Sequence, residues 1–337
     1  TAATIDPLSR DLDLKPFWEL MAIRDQVKVF HAARQDLEIF HIGSGFIPTP
    51  VFDTQVAAMV CGFGDQISYV NLVRSITGAQ LDKSSRFTNW SKRPLTDKQL
   101  HYALGDVTHL RDVYRHLKAE LEKSGRASWL DEEMATLTDT STYEQHPEHA
   151  WQRLKAKVKN RRAMAVLMSL AEWRERAAQK QNVPRQRILR DDALYDLSNL
   201  APRTTDEIAG LRSLPDGFSR SARAKEIVSA IKEGLDRDME GVPPLRQGQP
   251  LSAEASATLE LLKVLLKSSA ARHGVAPRLI ADASELEKLA RHDNPDLPAL
   301  KGWRRDLFGA DALSLKRGEL ALTLRDGDVS VIPLGQR

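Results

Sequence analysis

With 337 residues, 42 % of them hydrophobic and 28 % charged, the chain has the material for two or three folded domains, and its composition excludes wholesale disorder and fibrous repeats. Its apolar stretches, such as residues 165–171, fall far short of the roughly 20 that a membrane span needs, and no charged-then-apolar leader opens it; a lone cysteine, Cys61, without zinc-spaced Cys/His clusters points to a reducing, cytoplasmic address. The net charge of +3 hides an uneven spread, −5 over residues 1–150, +7 over 151–250 and +1 over 251–337, so an acidic first part adjoins a basic middle that would attract a polyanion.

In chain order, residues 2–5, 27–30 and 51–53 are predicted as strands, and residues 14–23, 36–42, 54–61, 68–77 and 96–122 as helices. This alternation is an α/β layer pattern, expected over residues 1–130. Three strands are few for so many helices, and Thr1 already stands inside the first, so the N-terminus reads as incomplete. Residues 131–150 are polar and aperiodic and read as a linker. Beyond Trp151 only helical periods remain, which a Gly- and Pro-containing linker over 237–250 divides into all-α domains at 151–236 and 251–337.

The two helical parts resemble each other. Val183-Pro184-Arg185 is followed by Ile188, Asp191, Leu194 and Leu197; Val275-Ala276-Pro277-Arg278 is followed by Ile280, Asp282, Leu286 and Leu289. A helix, a Val/Pro/Arg turn and a second helix, recurring about ninety residues apart, suggest a duplicated module. Two unrelated amphipathic helix pairs are the alternative.

Tyr102 and Asp106 stand four apart in the helix that starts near Thr96, so a phenol and a carboxylate share one face and can meet one ligand. Asp36 opens the helix after the 27–30 strand, near the strand end where α/β proteins place their sites; taken alone, it is better explained as a helix cap. Tyr102 taken alone is explained as a half-buried packing residue. Asp53 is expected to cap the helix that follows it, and His31 to bond the backbone rather than act as a base.

Residues 151–190 carry 12 basic residues against 2 acidic ones. Lys155, Lys157, Lys159, Arg161, Arg162, Arg174, Arg176, Arg185 and Arg187 form this stretch, and a well-solvated helix is the bland explanation. The alternation at 153–159 does not keep to one helical face, which suggests a flexible arm tracking a nucleic-acid backbone. Only Trp151 and Trp173 offer stacking, so binding is expected to be salt-sensitive and weakly sequence-specific.

The runs HAARQDLEIF (31–40), FDTQVAA (52–58), LDKSSRFTNWSKRPLTDKQLHYALGDVTHL (81–110) and EWRERAAQKQNVPRQRILRDDALYDL (172–197) resemble the ribonuclease D family, 3′–5′ exoribonucleases of the DEDD superfamily. The resemblance implies a ribonuclease H-like α/β exonuclease domain followed by two all-α HRDC-type domains, trimming RNA 3′ ends, tRNA precursors among them, with two divalent ions (Mg²⁺ or Mn²⁺). It implies Asp36 and Asp106 as metal ligands and Tyr102 as the residue on the attacking water. Lys83 and Arg93, flanking Trp90, would touch substrate phosphates or simply face solvent. Asn89 departs from the Asp expected there. The family's first motif, an Asp-x-Glu, does not precede residues 2–5, and Asp11-Leu12-Asp13 is a poor substitute, so two metal ligands are expected to be missing and the chain inactive alone. A catalytically dead nucleic-acid scaffold and a helicase-associated DNA exonuclease are the competing expectations. No phosphate loop of the Walker type is present, so ATP-driven unwinding is not expected.

Overall fold

In the computed structural model, which describes residues 2–9, 11–82, 84–144, 146–155, 157–245 and 251–334, the first described residues are irregular. Residues 2–5 are not the predicted strand: Ile5 is 50 % exposed, and without a ladder partner among the described residues an extended segment buries nothing. The helix α1 (Lys15–Ala22) begins with Pro in its first turn, where the fixed φ suits it. Its Phe17 and Trp18 pack on Phe40 at 5.8 and 5.4 Å.

Strands β1 (Lys28–Phe30) and β2 (Val51–Asp53) pair in parallel, Val29 opposite Phe52, and α2 (Arg34–Ser44) makes the crossover between them. Every residue of β2 is buried, as in a sheet covered on both faces. α3 (Thr54–Val60) follows at once, then α4 (Tyr69–Thr77). The single helix predicted over 96–122 is two. α5 (Asp97–Thr108) starts on a Thr96/Gln99 capping box and stops at His109, and α6 (Leu110–Ser124) starts afresh. The break follows from β-branched Val107 and Thr108, the latter donating its hydroxyl to Leu104 O at 2.6 Å. α6 buries Leu110, Val113, Leu117 and Leu121, a helical stripe. Residues 131–138, expected in a linker, instead complete α7 (Ala127–Thr138), with Leu130 and Met134 buried.

Two compact units result, one of Thr1–Tyr143 with Leu251–Arg337 and one of Glu144–Pro250. The second is organised by α8 (Arg161–Gln181), with α9 (Arg185–Ile188), α10 (Asp191–Leu200), α11 (Thr205–Ile208) and α12 (Ala222–Asp236) around it. Leu167, Leu170, Leu194, Leu197, Ile227 and Ile231 fill its core. α12 crosses α8 at Gly234, where a Cβ would stand 2.5 Å from Val166 Cα, so only glycine permits the approach. Residues 237–245, expected in a linker, fold onto this core, with Val242 1 % exposed. Residues 246–250 lie outside the described residues.

The chain then rejoins the first unit through α13 (Ala253–His273), α14 (Pro277–Ile280), α15 (Ala283–Arg291) and α16 (Gly302–Arg304), which runs through a π turn into α17 (Ala310–Lys316). The predicted repeat has a structural counterpart. α8 and α13 are both 21 residues long and end on a left-handed cap, Asn182 and Gly274, before the four-residue helices α9 and α14. The expectation of an all-α 251–337 is corrected by the antiparallel hairpin β3 (Leu320–Arg325) and β4 (Asp328–Pro333). Its Asp326-Gly327 turn, φ 52° and 89°, has the positive dihedrals that a two-residue hairpin demands.

One core cluster runs from Ala33 and Leu37 to Phe308 and Ala312, uniting both ends of the chain. At this seam Ala276 N donates to Met59 O at 2.9 Å, and the Arg126 guanidinium donates to His273 O at 2.6 Å and Val60 O at 3.2 Å. Among the described residues no helix is long and apolar enough to cross a membrane.

Candidate active site and nucleic-acid interface

Asp53, 2 % exposed, ties together the ends of the small sheet. Its carboxylate accepts from Gln55 N at 2.8 Å, capping α3 as expected, and also from Ala32 N at 2.9 Å and Ala33 N at 2.8 Å at the entry to α2. His31 lies between the same elements, Nδ1 3.0 Å from Thr54 Oγ1 and Nε2 3.1 Å from Ile67 O, so it bonds the backbone. Burial pushes its imidazole below the ordinary value, against the opposing charge of Asp53, so it is neutral at pH 7.

Asp36 sits in the first turn of α2 but does not cap it; Ala33 occupies the cap position, with no side chain bonded there. Its carboxylate is held above the usual range by partial burial, with the charge of Asp53 adding to the effect. Asp106 and Tyr102 lie one turn apart on α5 and line a cavity of about 250 Å³ with Asp82, His101 and His109. Partial burial raises Asp106, and burial followed by the charge of Asp106 raises the Tyr102 phenol. The Trp90 ring stands 5.8 Å from that of Tyr102. Gln99 holds the loop bearing Trp90, donating to Thr88 Oγ1 at 3.2 Å and Asn89 O at 3.4 Å.

Two residues here escaped the sequence reading. Tyr69 donates its hydroxyl to Gly105 O at 3.2 Å while its ring lies 5.5 Å from His31, so contacts link His31 and Tyr69 to the backbone beside Asp106. Burial and then the charge of Asp106 push its phenol up to about 12. Phe87 is 90 % exposed, with the Arg86 guanidinium 5.2 Å from its ring centroid. Its signal was an aromatic beside a cation in the run Arg86-Phe87-Thr88-Asn89-Trp90.

Hard carboxylate oxygens suit a divalent cation, whose charge would relieve the raised values at Asp36 and Asp106. They are two donors; among the described residues no three acidic, His or Cys side chains, those of this cavity included, are placed to hold one metal ion. Arg93 is engaged within the protein, its Nε and Nη2 each 2.6 Å from Asp6 and its Nη1 2.7 Å from Trp90 O. Lys83 lies outside the described residues.

In the second unit the backbone at Lys155, Lys157 and Lys159 is hydrogen-bonded to side chains of α10, where a flexible arm was expected. Lys155 N donates to Tyr195 Oη at 2.9 Å, Lys159 N to Asn199 Oδ1 at 2.8 Å, and Asn199 Nδ2 to Lys157 O at 3.1 Å. Leu154 and Val158 pack inward, and Lys155, Lys157 and Lys159 are exposed. Arg161 donates to Met239 O at 2.5 Å and Val242 O at 2.6 Å, and Arg162 to Leu235 O at 2.8 Å, just where α12 ends and its carbonyls need donors. Arg174 corrects the expectation of a surface cation. It is 3 % exposed, paired with Asp191 at 2.6 Å and donating to Leu189 O at 2.9 Å, so it serves the interior. Arg185 reaches Glu175 at 3.8 Å, Arg176 pairs with Glu172 at 2.8 Å, and Arg187 is exposed.

A family model described as 3′–5′ exonuclease matches residues 1–122, and an HRDC domain model matches residues 163–231. The class is therefore a DnaQ-like 3′–5′ exonuclease carrying an HRDC domain. A ribonuclease D of Nitrobacter hamburgensis is 50 % identical over 328 residues, 97 % of this chain and 86 % of that protein. A ribonuclease D of Bartonella henselae is 46 % identical over 332 residues, 98 % of this chain and 82 % of that protein. The fold matches the crystal structure of Escherichia coli RNase D with a TM-score of 0.77 at 24 % identity, over 91 % of this chain and 83 % of that one. The chain belongs to the ribonuclease D family. It is a 3′–5′ exoribonuclease of a superfamily that generally depends on divalent metal.

Proposed function

We propose that this exoribonuclease matures the 3′ ends of tRNA precursors in the cytoplasm, using two Mg²⁺ or Mn²⁺ ions with Asp36 and Asp106 among their ligands. When bound, such ions activate the attacking water and stabilise the leaving 3′-oxygen. The observation that carries this reading is the shared cavity of Tyr102 and Asp106. A tyrosine phenol is protonated near neutral pH, and burial raises that of Tyr102 further, so it would donate a hydrogen bond that orients the water instead of removing its proton. Lys155, Lys157 and Lys159 face solvent on an ordered segment and would hold the RNA backbone by charge. The shared layout of α8–α9 and α13–α14 supports an HRDC domain over 151–236 and an HRDC-like one over 251–337, following an exonuclease domain over 1–130.

The test is 5′-labelled precursor tRNA with an unpaired 3′ tail, incubated with metal or chelator and resolved nucleotide by nucleotide beside a DNA of the same sequence. With the family's Asp-x-Glu motif supplied on the same chain, wild type is expected to shorten the RNA only with metal. Asp106→Asn is expected to lose about a hundredfold or more in rate while keeping RNA affinity. Undiminished turnover by Asp106→Asn would remove the metal-ligand assignment, and equal cleavage of both substrates would remove the RNA reading.

A further inference from the structure

Four arginines line one cavity of the second unit, and among the described residues none of them is in an ion pair. Between α9, the start of α10 and the loop entering α12 is a cavity of about 500 Å³, within the roughly 300–1,000 Å³ of small-ligand sites. Arg187, Arg190, Arg212 and Arg223 line it, and no carboxylate does. Arg223 donates to Gln181 Oε1 at 2.9 Å, a neutral partner that leaves its charge uncompensated. Of the acidic neighbours in sequence, Asp191 is committed to Arg174 at 2.6 Å, and Asp192 and Asp216 are not among the residues lining the cavity. Ser213 also belongs to the cavity wall, with its hydroxyl buried behind the surface and without a hydrogen-bond partner. Leu214, Pro215 and Phe218 supply an apolar wall with one aromatic ring.

Guanidinium forks match phosphate oxygens, and an aromatic wall beside them matches the face of a base. We infer that this cavity is a binding site for one nucleotide, its phosphate held by Arg190 and Arg212 and its base against Phe218. The nucleotide is either a free nucleoside 5′-monophosphate, the class of product an exoribonuclease releases, or one residue of a bound RNA strand. The inference rests on the geometry of the second unit and does not depend on the nuclease assignments.

The experiment uses the full chain in chelator, so that RNA is bound without being cut and failure of the nuclease reading cannot affect the outcome. Adenosine 5′-monophosphate, adenosine and inorganic phosphate are titrated calorimetrically against wild type and Arg190→Gln/Arg212→Gln. Both residues are exposed, and an unchanged thermal midpoint checks that the variant is folded. In a second arm a 4-thiouridine-containing RNA is photocrosslinked and the modified peptides are mapped. Binding of the monophosphate in preference to adenosine, weakened about tenfold or more in the variant, supports the site with a free nucleotide as ligand. A crosslink in the peptide 212–218 that wild type forms and the variant loses supports it with an RNA residue as ligand. If the variant binds the monophosphate as wild type does, or neither binds it, and no such crosslink forms, the inference is overturned.

Discussion

The indole of Trp129 on α7 and that of Trp303 on α16 stack face to face, 4.4 Å apart and inclined by 10°. The Arg126 guanidinium lies 5.0 Å from the ring of Trp129 and that of Arg304 lies 4.4 Å from the ring of Trp303. Arg304 also pairs with Glu132 at 2.8 Å and with Glu133, and Trp303 Nε1 donates to Glu132 at 3.2 Å. Stacked rings, cations and carboxylates thus close the seam between the two ends of the chain. Most of that stabilisation comes from apolar burial and ring contact, with the more exposed ion pairs adding less.

Truncating Trp303, which is 7 % exposed, to Ala is expected to cost about 3–5 kcal/mol, read as a lower urea midpoint by circular dichroism. A loss below about 1 kcal/mol would mean that the stack is incidental to the first unit.

Acid should disable the enzyme earlier than ordinary carboxylates would. Asp36 and Asp106 both have raised pKa values, so each takes up its proton at a higher pH than the usual value of about 4, and that proton competes with a cation. As pH falls from neutral, metal affinity and rate should fall together, and more Mn²⁺ should move the acid limb of the profile to lower pH. Rate–pH profiles at two Mn²⁺ concentrations check this; superimposable acid limbs would contradict it.

Phe87 is exposed on the loop that also carries Trp90, whose ring meets that of Tyr102. If a substrate base stacks there, Phe87→Ala should raise KM about fivefold or more with kcat little changed, and Phe87→Trp should restore it. An equal loss in kcat would place its effect on the reacting atoms instead.

At Gly234 any side chain meets the backbone of Val166. Gly234→Ala should destabilise the second unit by about 1–3 kcal/mol, lowering one transition in a calorimetric scan and leaving that of the first unit in place. A single shifted transition would show that the units unfold together.

Tyr102 and Asp106 were legible because helix geometry alone puts residues four apart on one face. Asp53 was legible as a cap because the cap is local, but its bonds to Ala32 N and Ala33 N cross between elements and left no mark in the sequence. Tyr69 was illegible for the same reason, since its partner Gly105 comes from another helix. Residues 2–5 misled because strand-forming residues specify no partner. The terminal hairpin did have a signal, Asp326-Gly327 between Leu320–Leu324 and Val329–Val331. Arg174 resembled its basic neighbours because charge density is blind to which cation turns inward.

The division of the first unit between two stretches of chain has a consequence during synthesis. Residues 144–250 are contiguous and can fold as soon as they leave the ribosome, whereas the core that holds Leu37 and Leu117 also needs Leu262, Leu289 and Phe308. At roughly 5–20 residues per second, that core waits many seconds for its last contributors. Through that interval the nascent exonuclease presents an open apolar face, so its half-built form, more than the finished enzyme, is the species with most need of a chaperone.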